Sequence, residues 1–220
     1  MCIRDSYDIV QGAYILKNSY DSFPEGTIHV LSINNFYSKK RRFLAIRYDG
    51  HYFIGPDNGI FSLLFDEIPE NVYQLEFKNR GPFPLKKVIA KAVGHITNDF
   101  PFNEIGLPAG DLEQRITFQP VISPSQIRGS VIYVDNYENV IVNISRKLFE
   151  QTWKERGYKI YFRRNDPISK INLNYYDVPI GETLCRFNSA SLLEIAINMG
   201  KASSMLGLKV EDTVQIDFED

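Results

Sequence analysis

The chain has 220 residues, 44% of them hydrophobic and 13% aromatic, which argues against a disordered chain and supplies real cores for one large domain or two small ones. A formal net charge of −2 lacks the cationic excess of a nucleic-acid binder, and no apolar run approaches the roughly 20 residues needed to span a bilayer. Cys2 and Cys185 are the only cysteines, and no Cys/His spacing suits zinc, so the reading is a soluble, cytoplasmic protein with no disulfide framework, no metal site, no nucleic-acid partner and no membrane.

Met1 to Ser6 fits no later pattern and is expected to be a non-native leader. From Asp8, the apolar residues Ile9, Val10, Ala13, Tyr14 and Leu16 recur at helical spacing until the turn formers Phe23 to Gly26. Three strands are expected next, in Thr27 to Ile33, Phe43 to Tyr48 and His51 to Ile54, the last two joined by an Asp49-Gly50 turn. The basic run Lys39 to Arg42 reads as a solvated loop or the start of a strand. Gly55 to Gly59 is dense in turn formers; its glycines permit close backbone approach, which suits either a ligand loop or a plain connector. A short helix is expected over Ile60 to Phe65, a strand over Val72 to Phe77, and an amphipathic helix over Leu85 to Ile96. In that helix His95 flanks the Val88, Ile89, Ala92, Val93 and Ile96 stripe as a packed residue.

Thr97 to Gln126 is rich in proline and loses periodicity, so it marks a linker between residues 7–122 and 123–220. Short strands follow at Gly129 to Val134, Val140 to Ile144, Tyr158 to Phe162, Thr183 to Phe187 and Thr213 to Phe218, the pattern of a small β-barrel or sandwich. Ser191 to Glu194 has the form of a capping box, predicting a helix through Met199 that stops at Gly200. Tyr133 to Ile144 reads as a hairpin whose tip carries Asp135 and Asn139. Such groups shape their own turn or meet a ligand.

Three segments resemble the S-adenosylmethionine hydroxide adenosyltransferases, relatives of the fluorinase and chlorinase enzymes. Gly55 to Gly59 is similar to the family's GPDNG. Tyr133 to Ile144 is similar to its Y-I-D-x-F-G-N-x-x-T-N-I, and Phe187 to Asn198 contains a likeness to its N-S-x-x-L-L-E-I-A-V-N. The resemblance implies an α/β N-terminal domain with a mixed sheet, whose first strand and helix are missing here, followed by a small C-terminal all-β barrel. It also implies a homotrimer binding a nucleoside ligand at subunit interfaces, with S-adenosylmethionine as substrate and no separate cofactor.

Family chemistry attacks the ribose 5′ carbon of S-adenosylmethionine with water or halide and releases methionine. The leaving group is already cationic, so the enzyme must supply a positioned, desolvated nucleophile and a firm grip on the ligand. By resemblance, Asp135 takes the ammonium, Asn139 reads the adenine edge, Asn188 and Ser189 meet the methionine carboxylate, and Phe187 walls the purine. From the residues alone, Phe187 also suits a core and Asn188 with Ser189 the cap of a helix. The family's V-D-P-G-V-G-x-x-R-R aligns to Ile33 to Arg42, which keeps Arg41 and puts Asn34 in place of the aspartate. Its F-H-G-R-D aligns to Phe83 to Lys87, with Pro84 in place of the histidine. Arg41 and Asn34 are thus the residues expected to orient the water, in an adenosyl-transferring hydrolase or, alternatively, a catalytically degenerate binding homologue serving as sensor or scaffold.

Overall fold

The computed structural model describes residues 8–35, 41–65, 67–77, 84–115, 119–163 and 165–219. The leader expected at Met1 to Ser6 lies outside them, as do Phe36 to Lys40 and Phe83. The chain forms two compact units, Met1–Thr117 and Phe118–Asp220.

In the first unit, α1 (Ile9–Lys17) starts at Asp8, whose carboxylate accepts from the Val10 and Gln11 amides. Strands β1 (Ile28–Val30), β2 (Phe43–Tyr48), β3 (His51–Pro56), β4 (Asn71–Gln74) and β5 (Leu107–Pro108) form one sheet in the order β1-β3-β2-β4-β5. It is mixed, since β1 runs parallel to β3 and the other pairs are antiparallel. The expected Asp49-Gly50 turn joins β2 to β3, with both residues at positive φ. Phe43 to Ile46 are buried on both faces of the sheet, which suits four consecutive apolar residues. Leu44, Ile46 and Phe53 pack with Ile9 and Ala13 of α1 and with Ile60, Phe61 and Leu64 of α2 (Ile60–Leu64). Phe43, Ala45 and Ile54 pack on the opposite face with Val88 and Ala92 of α3 (Pro84–Thr97). His95, beside that stripe, has its Nε2 2.8 Å from the Pro101 carbonyl.

The second unit is one curled sheet. Its strands are β6 (Val121–Ser123), β7 (Gln126–Val134), β8 (Val140–Ser145), β9 (Tyr158–Phe162), β10 (Ile171–Asn172), β11 (Thr183–Phe187), β12 (Leu192–Ile197) and β13 (Thr213–Phe218). The order is β10-β11-β12-β8-β7-β13-β9, with β6 beside β7. The two ends of the path meet, because Ile160 of β9 bridges to Ile168 and the Tyr158 hydroxyl accepts from the Ile171 amide at 2.9 Å. Inside lie Val140, Val142, Cys185, Leu193, Ile195, Val214 and Ile216.

Two expectations are corrected here. The unit is not all-β. It carries α4 (Arg146–Trp153), capped where Ser145 Oγ accepts from the Leu148 amide at 3.1 Å, and α5 (Ala202–Leu206). Leu192 to Ile197 is a strand, not a helix. Ser191 sits at φ 56, whereas a helix N-cap needs extended backbone, and Asn188 closes a turn by accepting from the Leu192 amide through Oδ1 at 3.1 Å. The run then pairs with β11 on one side and β8 on the other, which satisfies its backbone in the sheet.

Candidate functional site

In the N-terminal unit the Gly55 to Gly59 segment is a brace. Asp57 is 1% exposed and accepts from Arg42 Nε at 2.7 Å, from Arg42 Nη2 and, on its other oxygen, from the Glu113 amide at 2.9 Å. Arg42 Nη1 also reaches Asp111 Oδ1 at 2.9 Å. Burial pulls the Arg42 guanidinium down, but its hydrogen bonds to Asp111 and Asp57 outweigh that and raise it. Asn58 donates through Nδ2 to the carbonyls of Ile33 (2.7 Å) and Asn34 (3.3 Å), while its Oδ1 accepts from the Ile60 amide at the start of α2. Two side chains of one loop therefore fix the backbone of the Asn34 turn and the residue beside Arg41. Asn34 is left-handed at φ 50 and half-buried; Arg41 is exposed.

The sequence reading missed Arg42 and Asp57, because a four-residue basic run reads as solvent-facing. The acidic residue within GPDNG was the available signal, since an aspartate between a buried strand and a buried helix needs a partner.

In the C-terminal unit the β7-β8 hairpin forms as expected. Asp135 Oδ1 accepts from the amides of Tyr137 and Asn139, both at 2.8 Å, and Oδ2 accepts from Asn139 Nδ2 at 3.0 Å. The carboxylate thus builds its own turn and holds the Asn139 amide in one orientation, so the turn-shaping role is present. Asn139 is 8% exposed, whereas Tyr137 stands 79% exposed at the tip.

Phe187, Asn188 and Ser189 stand elsewhere on the sheet. Leu192 pairs with Ser145 and Ile195 with Val140, so the Asn188 turn lies at the opposite end of β8 from Asn139, roughly 16 Å along the strand. Phe187 is 7% exposed, with the Arg146 guanidinium 4.9 Å from its ring centre and Phe149 behind it. Ser189 is exposed. The structure brings Asp135 to Asn139 and Phe187 to Asn188 and Ser189, but it does not join the two pairs of contacts.

A polar cluster that the sequence reading did not find sits on the outer face of β11 and β12. Glu194 is 4% exposed and accepts from the Tyr175 hydroxyl at 2.7 Å. Arg186, its cross-strand partner, lies with Cζ 4.6 Å from the Tyr175 ring centre, and its Nε is buried with no acceptor among the described residues. Burial pushes the Glu194 carboxyl up, against the hydrogen bond from Tyr175 and the charge of Arg186. Burial and that same bond push the Tyr175 hydroxyl up to about 12. Asp135 is near enough to raise both groups. Reading Leu192 to Ile197 as a helix hid this cluster, because it gave Glu194 a local capping role.

Among the described residues no helix is long and apolar enough to cross a membrane. Known proteins are similar to this chain in sequence and in architecture. The chain is 26% identical to the (R)-S-adenosyl-L-methionine hydrolase of Methanocaldococcus jannaschii, over 96% of this chain and 79% of that protein. It is 27% identical to the hydrolase of the same name from Thermus thermophilus, over 92% and 80%. The fold matches a crystal structure of an uncharacterized conserved protein from Thermotoga maritima, with a TM-score of 0.81 at 23% identity, covering 98% of this chain and 86% of that one. The SAM hydroxide adenosyltransferase N-terminal domain matches residues 4–106 and the corresponding C-terminal domain matches residues 129–215. With both domains matched in order over most of its length, the chain belongs to the SAM hydroxide adenosyltransferase family.

Proposed function

We propose that this protein converts S-adenosylmethionine and water to adenosine and methionine. The observation that carries the reading is the match of both family domains in one chain, in the order and spacing of relatives named for that hydrolysis. Water attacks C5′ of the ribose, the C5′–S bond breaks with its electron pair going to sulfur, and the proton of the attacking water leaves to solvent. Sulfur departs as a neutral thioether, so no acid is needed at the leaving group.

Arg41 and Asn34 orient the water. The brace from Asn58 to the carbonyls of Ile33 and Asn34 supports that role by fixing the turn on which Asn34 stands. An amide orients water by hydrogen bonding without taking its proton. Asp135 holds the ammonium of the ligand and Asn139 its adenine edge, while Phe187, Asn188 and Ser189 offer a second point of contact a strand's length away. S-adenosylmethionine is the substrate and no further cofactor takes part. The working state that goes with this reading is a cytoplasmic homotrimer with its sites at subunit interfaces.

The test is calorimetric titration of the full chain with S-adenosylmethionine, together with chromatography of the reaction mixture. The wild type binds and yields adenosine and methionine above the uncatalysed rate. Asp135→Asn retains the fold and weakens binding about tenfold, the scale of one charge-assisted hydrogen bond. Binding without product, or no binding at all, contradicts the reading.

A further inference from the structure

The hairpin tip that carries Asp135 and Asn139 is held from outside by an element that the proposed chemistry does not use. Lys201, the N-cap of α5, makes no side-chain bond to the helix it precedes. The amides of the first turn are met instead by Glu138. Its carbonyl accepts from the Ser203 amide at 2.9 Å, and its Oε2 accepts from the Ser204 amide at 3.0 Å and from the Ser204 hydroxyl. Its Oε1 lies 3.0 Å from Lys201 Nζ. All three oxygens of Glu138 thus point at residues 201–204, while its amide donates to the Asp135 carbonyl at 3.0 Å.

Glu138 holds φ 65, a left-handed conformation that glycine adopts freely and a residue with a β-carbon does not. A side chain kept where glycine would suffice has its use in the contacts it makes. Its neighbour Asn139 gives both its backbone and its side-chain N–H to Asp135. A shift of Glu138 therefore moves both groups assigned to the ligand.

We infer that Glu138 is a positioning residue, clamping the Asp135–Asn139 turn to α5 so that the carboxylate and amide of the turn are presented to the ligand in one fixed geometry. This rests on the S-adenosylmethionine-binding reading above. The hydrogen bonds from Ser204 and the Lys201 charge hold the Glu138 carboxyl below the usual carboxylate range, so the clamp stays charged at neutral pH.

The test uses the full chain with Glu138→Gln, which keeps the size and loses the charge, and Glu138→Gly, which frees the backbone and removes the side chain. Two readouts are taken: amide hydrogen exchange at Tyr137 to Asn139 and at Ser203 and Ser204, without ligand, and the affinity and KM for S-adenosylmethionine. Both variants are expected to exchange faster at both segments and to bind about tenfold more weakly, with KM raised more than kcat falls. Lys201→Met should give a smaller loss that is not additive with Glu138→Gln. Unchanged exchange overturns the clamp whatever the ligand does. Faster exchange with unchanged affinity makes Glu138 a stabilising residue only and overturns its positioning role. A wild type that fails to bind S-adenosylmethionine removes the binding reading and this role together, a result distinct from failure in the variants alone.

Discussion

Asp135 shows how one carboxylate serves structure and recognition together. The Tyr137 and Asn139 amides occupy two acceptor directions of Oδ1 and the Asn139 side chain one of Oδ2, three of the about four acceptor positions of a carboxylate. The hairpin and its polar tip were legible in the sequence from β-branched runs flanking turn formers. That the tip is also tied to α5 was not, because Glu138 and Ser204 are 66 residues apart and no local pattern links them. The two arginines side by side teach the same lesson. Arg42 is the half-buried partner of the buried Asp57 and Arg41 is exposed, a difference that periodicity in a basic run cannot supply. Arg42→Ala should therefore destabilise the N-terminal unit by about 3 kcal/mol in denaturant unfolding, since it leaves the Asp57 carboxylate buried without its counter-charge. Arg41→Ala should change stability by no more than about 0.5 kcal/mol while lowering kcat/KM for S-adenosylmethionine.

At the scale of elements, most strands and the long amphipathic helix were readable because one face of each is apolar at the right period. Leu192 to Ile197 was misread because it is buried on both sides. Leu193 and Ile195 face the barrel interior, while Glu194 and Ala196 are covered on the outside, so the alternation that marks a strand is erased. Only partner strands decide such a segment, and those lie far away in sequence. The α4 helix escaped notice although Ser145 and the pair Phe149 and Trp153 carry an N-cap and an apolar stripe.

In the other unit, β1 and β3 bring His29 Nε2 within 3.3 Å of His51 Nδ1, both buried, among the rings of Tyr20, Phe23 and Phe53. The Tyr20 hydroxyl in turn donates to Asp49 at 3.4 Å. Burial, and then the nearby His51, hold the His29 imidazole below its usual range. The unfolded chain then binds more protons than the native one as pH drops through about 6.5, so stability is full above that pH and is lost below it. Denaturation midpoints from pH 8 to pH 5 should fall on the acid side, and His29→Gln should flatten the dependence. A flat profile for the wild type would contradict this account of the pair.

For the whole molecule, the two units divide the expected labour. One holds a braced turn beside an exposed arginine; the other holds a hydrogen-bonded hairpin tip with a carboxylate and an amide. The change from a unit of helices and strands to a unit of short strands was legible from the proline-rich stretch between patterns of different period; the mixed sheet came only with the family resemblance, and the helices within the second unit were not legible at all. If water attacks C5′ of S-adenosylmethionine on this protein, the 5′ oxygen of the adenosine comes from solvent. Incubation in water enriched in oxygen-18, followed by mass spectrometry of the products, tests it most directly. The expected products are adenosine carrying the heavy oxygen at its 5′ hydroxyl and unlabelled methionine. Adenosine without label, or no adenosine above the protein-free control, would contradict it.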